Sequence, residues 1–174
     1  MFAKSILSLL VVFVGALRIA AAADKESSGF EQFKKLAGEW VGQEAAGKDL
    51  DGKAGKEVHV KYQVTSGGSA VVETLFPGTG EEMVTVIHPD GNDLLLTHYC
   101  LLGNQPQMKA PGQLDGKQVA FAFVRATNLA SDKDMYMHDA TYIFEGPDTL
   151  KTIWTHYHDG KPAGKVVFEL KRKK

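Results

Sequence analysis

Short stretches of alternating apolar and polar residues, separated by tight turns, run through most of this chain and constrain its fold more than any other feature. From Val58 to Thr65, apolar and polar residues alternate without interruption, which is typical of a strand with one buried face. Asp115-Gly116 and Asp159-Gly160 separate later stretches of the same kind, and Asp-Gly favours a hairpin turn. Because strands joined by hairpins are antiparallel neighbours, we expect an all-β meander.

The pattern predicts nine or ten strands. The nine clearest are Gly38–Gly42, Val58–Thr65, Ser69–Phe76, Glu82–His88, Asp93–Leu101, Val119–Val124, Met135–Phe144, Thr149–His158 and Lys165–Lys171. A meander of this length either closes on itself or leaves two unpaired edges. We therefore predict a single antiparallel up-and-down β-barrel, with a flatter two-sheet sandwich as the alternative.

A short helix is predicted before the first strand. Ser28 and Glu31 have the spacing of a capping box, in which the two side chains bond to free backbone N–H groups at a helix start. Phe30, Phe33 and Leu36 follow at helical spacing. About two turns of helix are unstable in isolation, so we expect this helix to dock against one end of the barrel.

Residues 1–23 have the features of an export signal. Lys4 precedes an apolar run from Ile6 to Leu17, and Ala21-Ala22-Ala23 supplies the small residues of a cleavage site. We expect cleavage before Asp24, which leaves residues 24–174 as a single exported domain, in the periplasm or the medium. A retained N-terminal anchor is the alternative. No second long apolar run follows, so we expect no membrane span after cleavage.

Charge and cysteine content argue against a nucleic-acid-binding protein and against a disulfide-stabilised domain. The chain carries 20 lysines and arginines against 21 acidic residues, and its only basic cluster is Lys171–Lys174, which we interpret as a solubilising tail. A nucleic-acid-binding protein needs a concentrated basic face, so we do not expect this protein to bind nucleic acid. Cys100 is the only cysteine, so the domain has no internal disulfide and depends on its core.

A helix followed by Gly38-x-Trp40-x-Gly42 resembles the opening of the lipocalin-like (calycin) β-barrels. The stretch from Glu73 to Met108 also resembles uncharacterised secreted bacterial proteins with lipocalin-like domains. The resemblance implies a barrel whose Trp40 lies at the closed end, covered by a basic residue of the last strand, either Lys171 or Arg172. The same spacing more weakly resembles the nitrobindin-type haem barrels. That pattern continues with glycines and a Tyr-Pro pair, whereas this chain has Gln43-Glu44-Ala45, which argues against haem.

Candidate functional residues concentrate near Thr97-His98-Tyr99-Cys100. His98 and Cys100 are two apart, so they share a strand face with Leu94 and Leu96, and we expect both to point into the barrel. A thiolate beside an imidazolium is the arrangement of cysteine nucleophiles. A hydrogen-bonded interior histidine beside a buried, inert cysteine is the alternative that we favour, because no other catalytic motif accompanies the pair.

Four further residues are candidate polar groups for a ligand. Glu73 shares a face with Val71 and Leu75, so we expect a buried carboxylate. Asn104 and Gln105 follow the His98 strand, either as an ordinary turn or as amides at a pocket mouth. His138 lies on an alternating strand and, together with His98 and Cys100, would give a nitrogen–sulfur set that zinc accepts. His156 and His158 form a His-x-His pair, which we interpret as an exposed pair at the barrel rim, with a metal site as the alternative.

The function predicted from these residues is non-catalytic binding of a small, largely apolar molecule inside the barrel. Glu73, His98, Cys100, Asn104, Gln105 and His138 are the predicted ligand-binding residues. The alternatives are a thiol- or metal-dependent enzyme and an envelope protein that binds another protein. The sequence specifies no cofactor, metal ion, ligand identity or oligomeric state.

Overall fold

Ten antiparallel strands close into one barrel in the computed structural model, which describes residues 28–45 and 55–174. The predicted export signal, residues 1–23, lies outside the described residues. The chain order is α1 (Ser28–Lys35), β1 (Gly38–Ala45), β2 (Glu57–Thr65), β3 (Ala70–Leu75), β4 (Met83–Asp90), β5 (Asp93–Tyr99), β6 (Gln105–Pro111), β7 (Gln118–Thr127), β8 (Tyr136–Gly146), β9 (Thr149–His158) and β10 (Lys161–Arg172). The predicted fold class is confirmed.

Each strand pairs with its neighbours in sequence, and β1 pairs with β10 to close the barrel. The closing register places Trp40 opposite Arg172 and Gly42 opposite Leu170. At Gly42 an added Cβ would come within 1.9 Å of the Glu169 carbonyl oxygen, which is far inside contact distance. A glycine is therefore required for the first and last strands to approach this closely.

One strand, β6, was not among the nine clearest stretches. It begins at Gln105, within the segment interpreted as a turn, and it contains Pro106 and Pro111. Proline donates no backbone hydrogen bond, so it argues against a strand with neighbours on both sides. In the structure both prolines are accommodated in a strand that pairs with β5 and β7.

The α1 helix covers one end of the barrel. Phe30 and Phe33 are buried, and the Phe33 ring packs edge-on against Tyr142 at a centroid distance of 4.9 Å. The Ser28 hydroxyl donates to Gln113 and accepts from the Leu114 N–H. The side chain that we predicted to cap the helix thus ties it to the β6–β7 connection. Within the described residues, no helix is long and apolar enough to cross a membrane.

Trp40 and Arg172 join the helix to the closing strands. The Trp40 indole donates to the Leu36 carbonyl at 2.7 Å, and the Arg172 guanidinium lies over the indole, 4.4 Å from its centroid. Arg172 also donates to the carbonyls of Lys35 and Ala37, each at 2.8 Å. Of the two basic residues expected to cover Trp40, the structure selects Arg172.

Candidate functional site

A row of polar side chains crosses four neighbouring strands inside the barrel. Tyr62 on β2, Glu73 on β3, Thr85 on β4 and His98 on β5 are successive cross-strand partners. All four are buried. Because side chains alternate between the two faces of a strand, partners in register point to the same side, and here that side is the interior. The strand pairing itself thus assembles the row.

Glu73 is the centre of this row and is buried, with 1% of its surface exposed. The hydroxyl of Tyr62 donates to one carboxylate oxygen at 2.6 Å, and that of Tyr142, across the barrel on β8, donates to the other at 2.8 Å. Burial raises the pKa of Glu73, and hydrogen bonds from Tyr62, Tyr142 and Thr85 oppose that rise. Burial and the neighbouring carboxylate raise the pKa of both tyrosines well above the usual value.

His98 ends the row at the other side. Its Nδ1 lies 3.0 Å from the Thr85 hydroxyl oxygen, and its ring packs 5.0 Å from the Trp154 ring. Burial lowers the pKa of His98 to about 4, so the imidazole is neutral at physiological pH. The described residues include no hydrogen-bond partner for its Nε2 atom.

A pocket of about 240 Å³ opens at the end of the barrel opposite α1, and His98 lines it. Most of the other lining side chains are apolar. They are Leu75, Phe76, Met83, Leu101, Leu102, Met137, Trp154, Val166 and Phe168. Three charged residues, Glu44, Lys56 and Glu81, also line the pocket, and Lys56 forms an ion pair with Glu81. Ligand pockets combine an apolar wall with a few polar groups, and this pocket has that composition.

Cys100 also lines the pocket, two residues beyond His98. The thiol is partly buried, and that burial raises its pKa. A cysteine nucleophile acts as the thiolate, which a raised pKa disfavours. The neutral His98 supplies no positive charge to lower it. The structure therefore places His98 and Cys100 at one pocket, with Glu73 two strands away from His98 in the same interior row.

His138 does not join this group. It is the extra residue of a β-bulge between Met137, opposite His156, and Asp139, opposite Thr155. Its ring stacks on Tyr157 at a centroid distance of 3.8 Å. Tyr157 follows the inward-facing His156 and so lies on the outer face of β9. The bulge shifts the phase of the alternation, and the predicted convergence of His138 with His98 is not found.

Asn104 and Gln105 hold the β5–β6 connection together and do not line the pocket. The Asn104 amide donates to the Met135 carbonyl at 2.9 Å, and the Gln105 amide donates to the Gly103 carbonyl at 2.9 Å. The Thr127 hydroxyl donates to the Gln105 side-chain oxygen. This segment was interpreted either as an ordinary turn or as amides at a pocket mouth. Its contacts agree with a turn that joins β5 and β6.

The two histidines of the predicted His-x-His pair differ in burial. His156 is buried on the inner face of β9, whereas His158 is exposed. Among the described residues, no three His, Cys, Asp or Glu side chains are grouped so that they could hold a metal ion. His156 Nδ1 and Trp154 Nε1 are buried without a hydrogen-bond partner in this part of the chain.

Sequence reasoning missed several residues of the interior row and the pocket. Tyr62, Thr85 and Tyr142 were placed on predicted strands but not connected to Glu73, and Trp154 was not assigned to a pocket. The alternation around Tyr62 and Thr85 marks both as inward-facing. No local pattern reports that Tyr142 reaches Glu73, since the two are 69 positions apart.

Neither a protein-family model nor a curated protein matches this sequence, but solved structures share its fold. A protein of unknown function from the DUF3598 family of Nostoc punctiforme PCC 73102 is 13% identical with a TM-score of 0.54. The match covers 80% of this chain and 48% of that protein, so this chain spans about half of it. Rv2717c from M. tuberculosis is 13% identical with a TM-score of 0.61, over 84% of this chain and 98% of its own. A closed ten-stranded barrel fits a calycin-like fold. At these identities the comparisons concern the fold alone.

Proposed function

We propose that this protein binds a small, largely apolar molecule, without catalysis, in the pocket beside His98. The observation that supports the proposal is the pocket itself: about 240 Å³, apolar in its walls, and floored by a neutral imidazole. Pockets for drug-sized ligands start at about 300 Å³, so we expect a compact ligand. The closed strand pairing around the pocket provides a rigid frame for it.

The chemistry of the pocket supports binding rather than thiol catalysis. A thiolate at Cys100 is disfavoured by burial, and the imidazole of His98 is held neutral. A catalytic cysteine normally has a base or a cation that lowers its pKa. Of the charged residues at the pocket, Lys56 and Glu81 form an ion pair, and Glu44 has an interaction of its own.

We further propose that the protein is exported, on the basis of residues 1–23. Expression of the full chain in a bacterial host, followed by fractionation and mass measurement, tests this. The proposal requires a periplasmic or extracellular product that begins at Asp24. A full-length product that remains in the cytoplasm or the membrane would refute it.

Calorimetric titration of the purified protein with 1-methylnaphthalene tests the binding proposal. We expect saturable binding at one site. A Val166→Trp variant fills the pocket, because Val166 lines it, and we expect this variant to lose binding. Val124→Trp is the matched control, since Val124 is 53% exposed and does not line the pocket. Binding that survives Val166→Trp, or that is absent from the unmodified protein, would contradict the proposal.

A protein-binding role is the second candidate, and one observation favours it. Leu101 and Leu102 at the pocket are 59% and 48% exposed, and exposed apolar side chains grouped together often mark an interaction site. If they serve a protein partner, Leu101→Ser with Leu102→Ser will abolish co-purification of that partner. Co-purification that persists in this variant would contradict a protein-binding role for the two leucines.

A further inference from the structure

The polar row from Glu73 ends at the pocket with one unsatisfied nitrogen. Nδ1 of His98 is engaged by Thr85 at 3.0 Å, and Nε2 has no partner among the described residues although His98 lines the pocket. We propose that the ligand is an otherwise apolar molecule with a single hydroxyl group, a phenol or an alcohol, which hydrogen-bonds to His98 Nε2. This inference rests on the binding function proposed above.

The direction of the hydrogen bonds along the row determines whether Nε2 of His98 is a hydrogen-bond donor or an acceptor. When Glu73 is ionised, the Thr85 hydroxyl donates its only proton to the carboxylate. The Thr85 oxygen then accepts from His98, so Nδ1 carries the ring proton. A neutral imidazole has one N–H, and Nε2 is therefore a bare acceptor. A ligand that matches it must bring a hydrogen-bond donor.

Protonation of Glu73 reverses the same chain of bonds. The carboxylic acid then donates to Thr85, Thr85 donates to Nδ1, and the ring proton moves to Nε2. Tyr62 and Tyr142 are the other titratable groups against Glu73, and both remain donors to it. A hydroxyl group can donate or accept, so it satisfies Nε2 in either state. An ether or a primary ammonium satisfies only one of them.

The imidazole of His98 offers no partner to a charged head group. A buried charge needs a partner, and His98 is neutral. Of the charged residues that line the pocket, Lys56 pairs with Glu81, and Glu44 has an interaction of its own. Trp154, whose ring lies 5.0 Å from that of His98, adds apolar surface to the same part of the pocket. A neutral acceptor among apolar side chains is complementary to a hydroxyl group on an otherwise apolar molecule.

Two probes of the same shape test the inference at pH 7. 1-Naphthol carries a hydroxyl group where 1-methylnaphthalene carries a methyl group, so their affinities isolate the hydrogen bond. We expect the full-length protein to bind 1-naphthol about fivefold more tightly, which is the effect of one ordinary net hydrogen bond. In His98→Leu we expect that preference to disappear.

The outcomes separate this inference from the binding function. Equal affinity for both probes in the unmodified protein would overturn the hydroxyl assignment and leave the pocket function standing. If neither probe binds, the binding function itself fails. A preference for 1-naphthol that persists in His98→Leu would place the hydroxyl contact elsewhere.

Nitrogen NMR of the unmodified protein keeps the test independent of whether His98→Leu folds. We expect 1-naphthol to shift the Nε2 resonance of His98 and 1-methylnaphthalene to leave it nearly unchanged. Thr85→Val tests the positioning role of Thr85, because the ring then loses its Nδ1 partner. We expect mixed tautomers at His98 and a smaller preference for 1-naphthol. An Nε2 resonance that 1-naphthol does not affect would overturn the inference.

Discussion

Replacing Glu73 with leucine should destabilise the protein through the tyrosines that the carboxylate leaves behind. Tyr62 and Tyr142 each donate to Glu73, and each is buried. Without the carboxylate, both hydroxyls lose their acceptor in a site that water does not reach. A buried polar group left unsatisfied costs about 1–3 kcal/mol. The two hydroxyls together give an expected loss of about 2–6 kcal/mol in the free energy of unfolding.

A triple variant distinguishes this mechanism from loss of packing. Adding Tyr62→Phe and Tyr142→Phe to Glu73→Leu removes the orphaned hydroxyls while keeping both rings. Replacing all partners of a buried hydrogen bond by apolar groups of similar shape is often nearly neutral. We therefore expect the triple variant to be more stable than Glu73→Leu alone, by about 2 kcal/mol or more, although it carries two more substitutions.

Urea unfolding at pH 7, followed by circular dichroism, measures these differences. Equal m-values across the variants are required for the free energies to be compared, since the slope reports the surface exposed on unfolding. Tyr62→Phe and Tyr142→Phe alone serve as controls. The reasoning is refuted if the triple variant is less stable than Glu73→Leu by the sum of the two single tyrosine effects.

The pH dependence of the same site has an unusual sign. The pKa of Glu73 is raised in the folded protein above 4.5, so the native state holds this proton more tightly than the unfolded state. Native stability from this group therefore increases as the pH falls from neutral through the folded pKa, and levels off below 4.5. Compared with Glu73→Gln, the unmodified protein should gain relative stability on acidification. If the difference in the free energy of unfolding between the two proteins is constant with pH, that result would contradict the raised pKa.

Three further predictions concern other parts of the molecule. Arg172→Met removes the contact over Trp40 and two hydrogen bonds to the helix end, and should cost about 2–3 kcal/mol; in thermal unfolding the exposed control Lys171→Met should lose under about 0.5 kcal/mol. His98, with a pKa lowered to about 4, should stay neutral at pH 5.5 by nitrogen NMR, and its contribution to stability should be lost as the pH falls from 6.5 to about 4; an imidazolium signal at pH 5.5 would contradict this. Cys100, whose pKa is raised by burial, should react with a disulfide reagent more slowly than a free thiol at pH 8, and more slowly still with 1-naphthol bound; a rate unaffected by the probe would place the thiol outside the occupied pocket.

The architecture was predictable because it depends on local patterns. Alternation with period two and short turns specify a meander, and a meander of this length has few ways to bury one face. The same argument predicted the interior position of Glu73 from its neighbours Val71 and Leu75, and that of His98 from Leu94 and Leu96. Burial of all these residues confirms it.

The sequence was least informative where the structure departs from strict alternation. The bulge at His138 changes which face the ring occupies, and alternation alone contains no sign of the extra residue. The strand at Gln105–Pro111 was hidden by its two prolines. The contact of Tyr142 with Glu73 depends on barrel closure, which brings β8 across from β3, and no spacing in the sequence encodes that distance. Whether a barrel interior holds a pocket or a filled core is likewise a property of side-chain volumes in three dimensions.

The pairing of β1 with β10 also has a consequence for the time course of folding. The other strand pairs join chain neighbours, and hairpins of that kind form within microseconds. The register that closes the barrel pairs Trp40 with Arg172, 132 positions along the chain, and such distant contacts slow folding. Until they form, β1 and β10 are open edges that can pair with other chains. We therefore expect refolding yield to fall as protein concentration rises, with closure of this seam as the step that competes with aggregation.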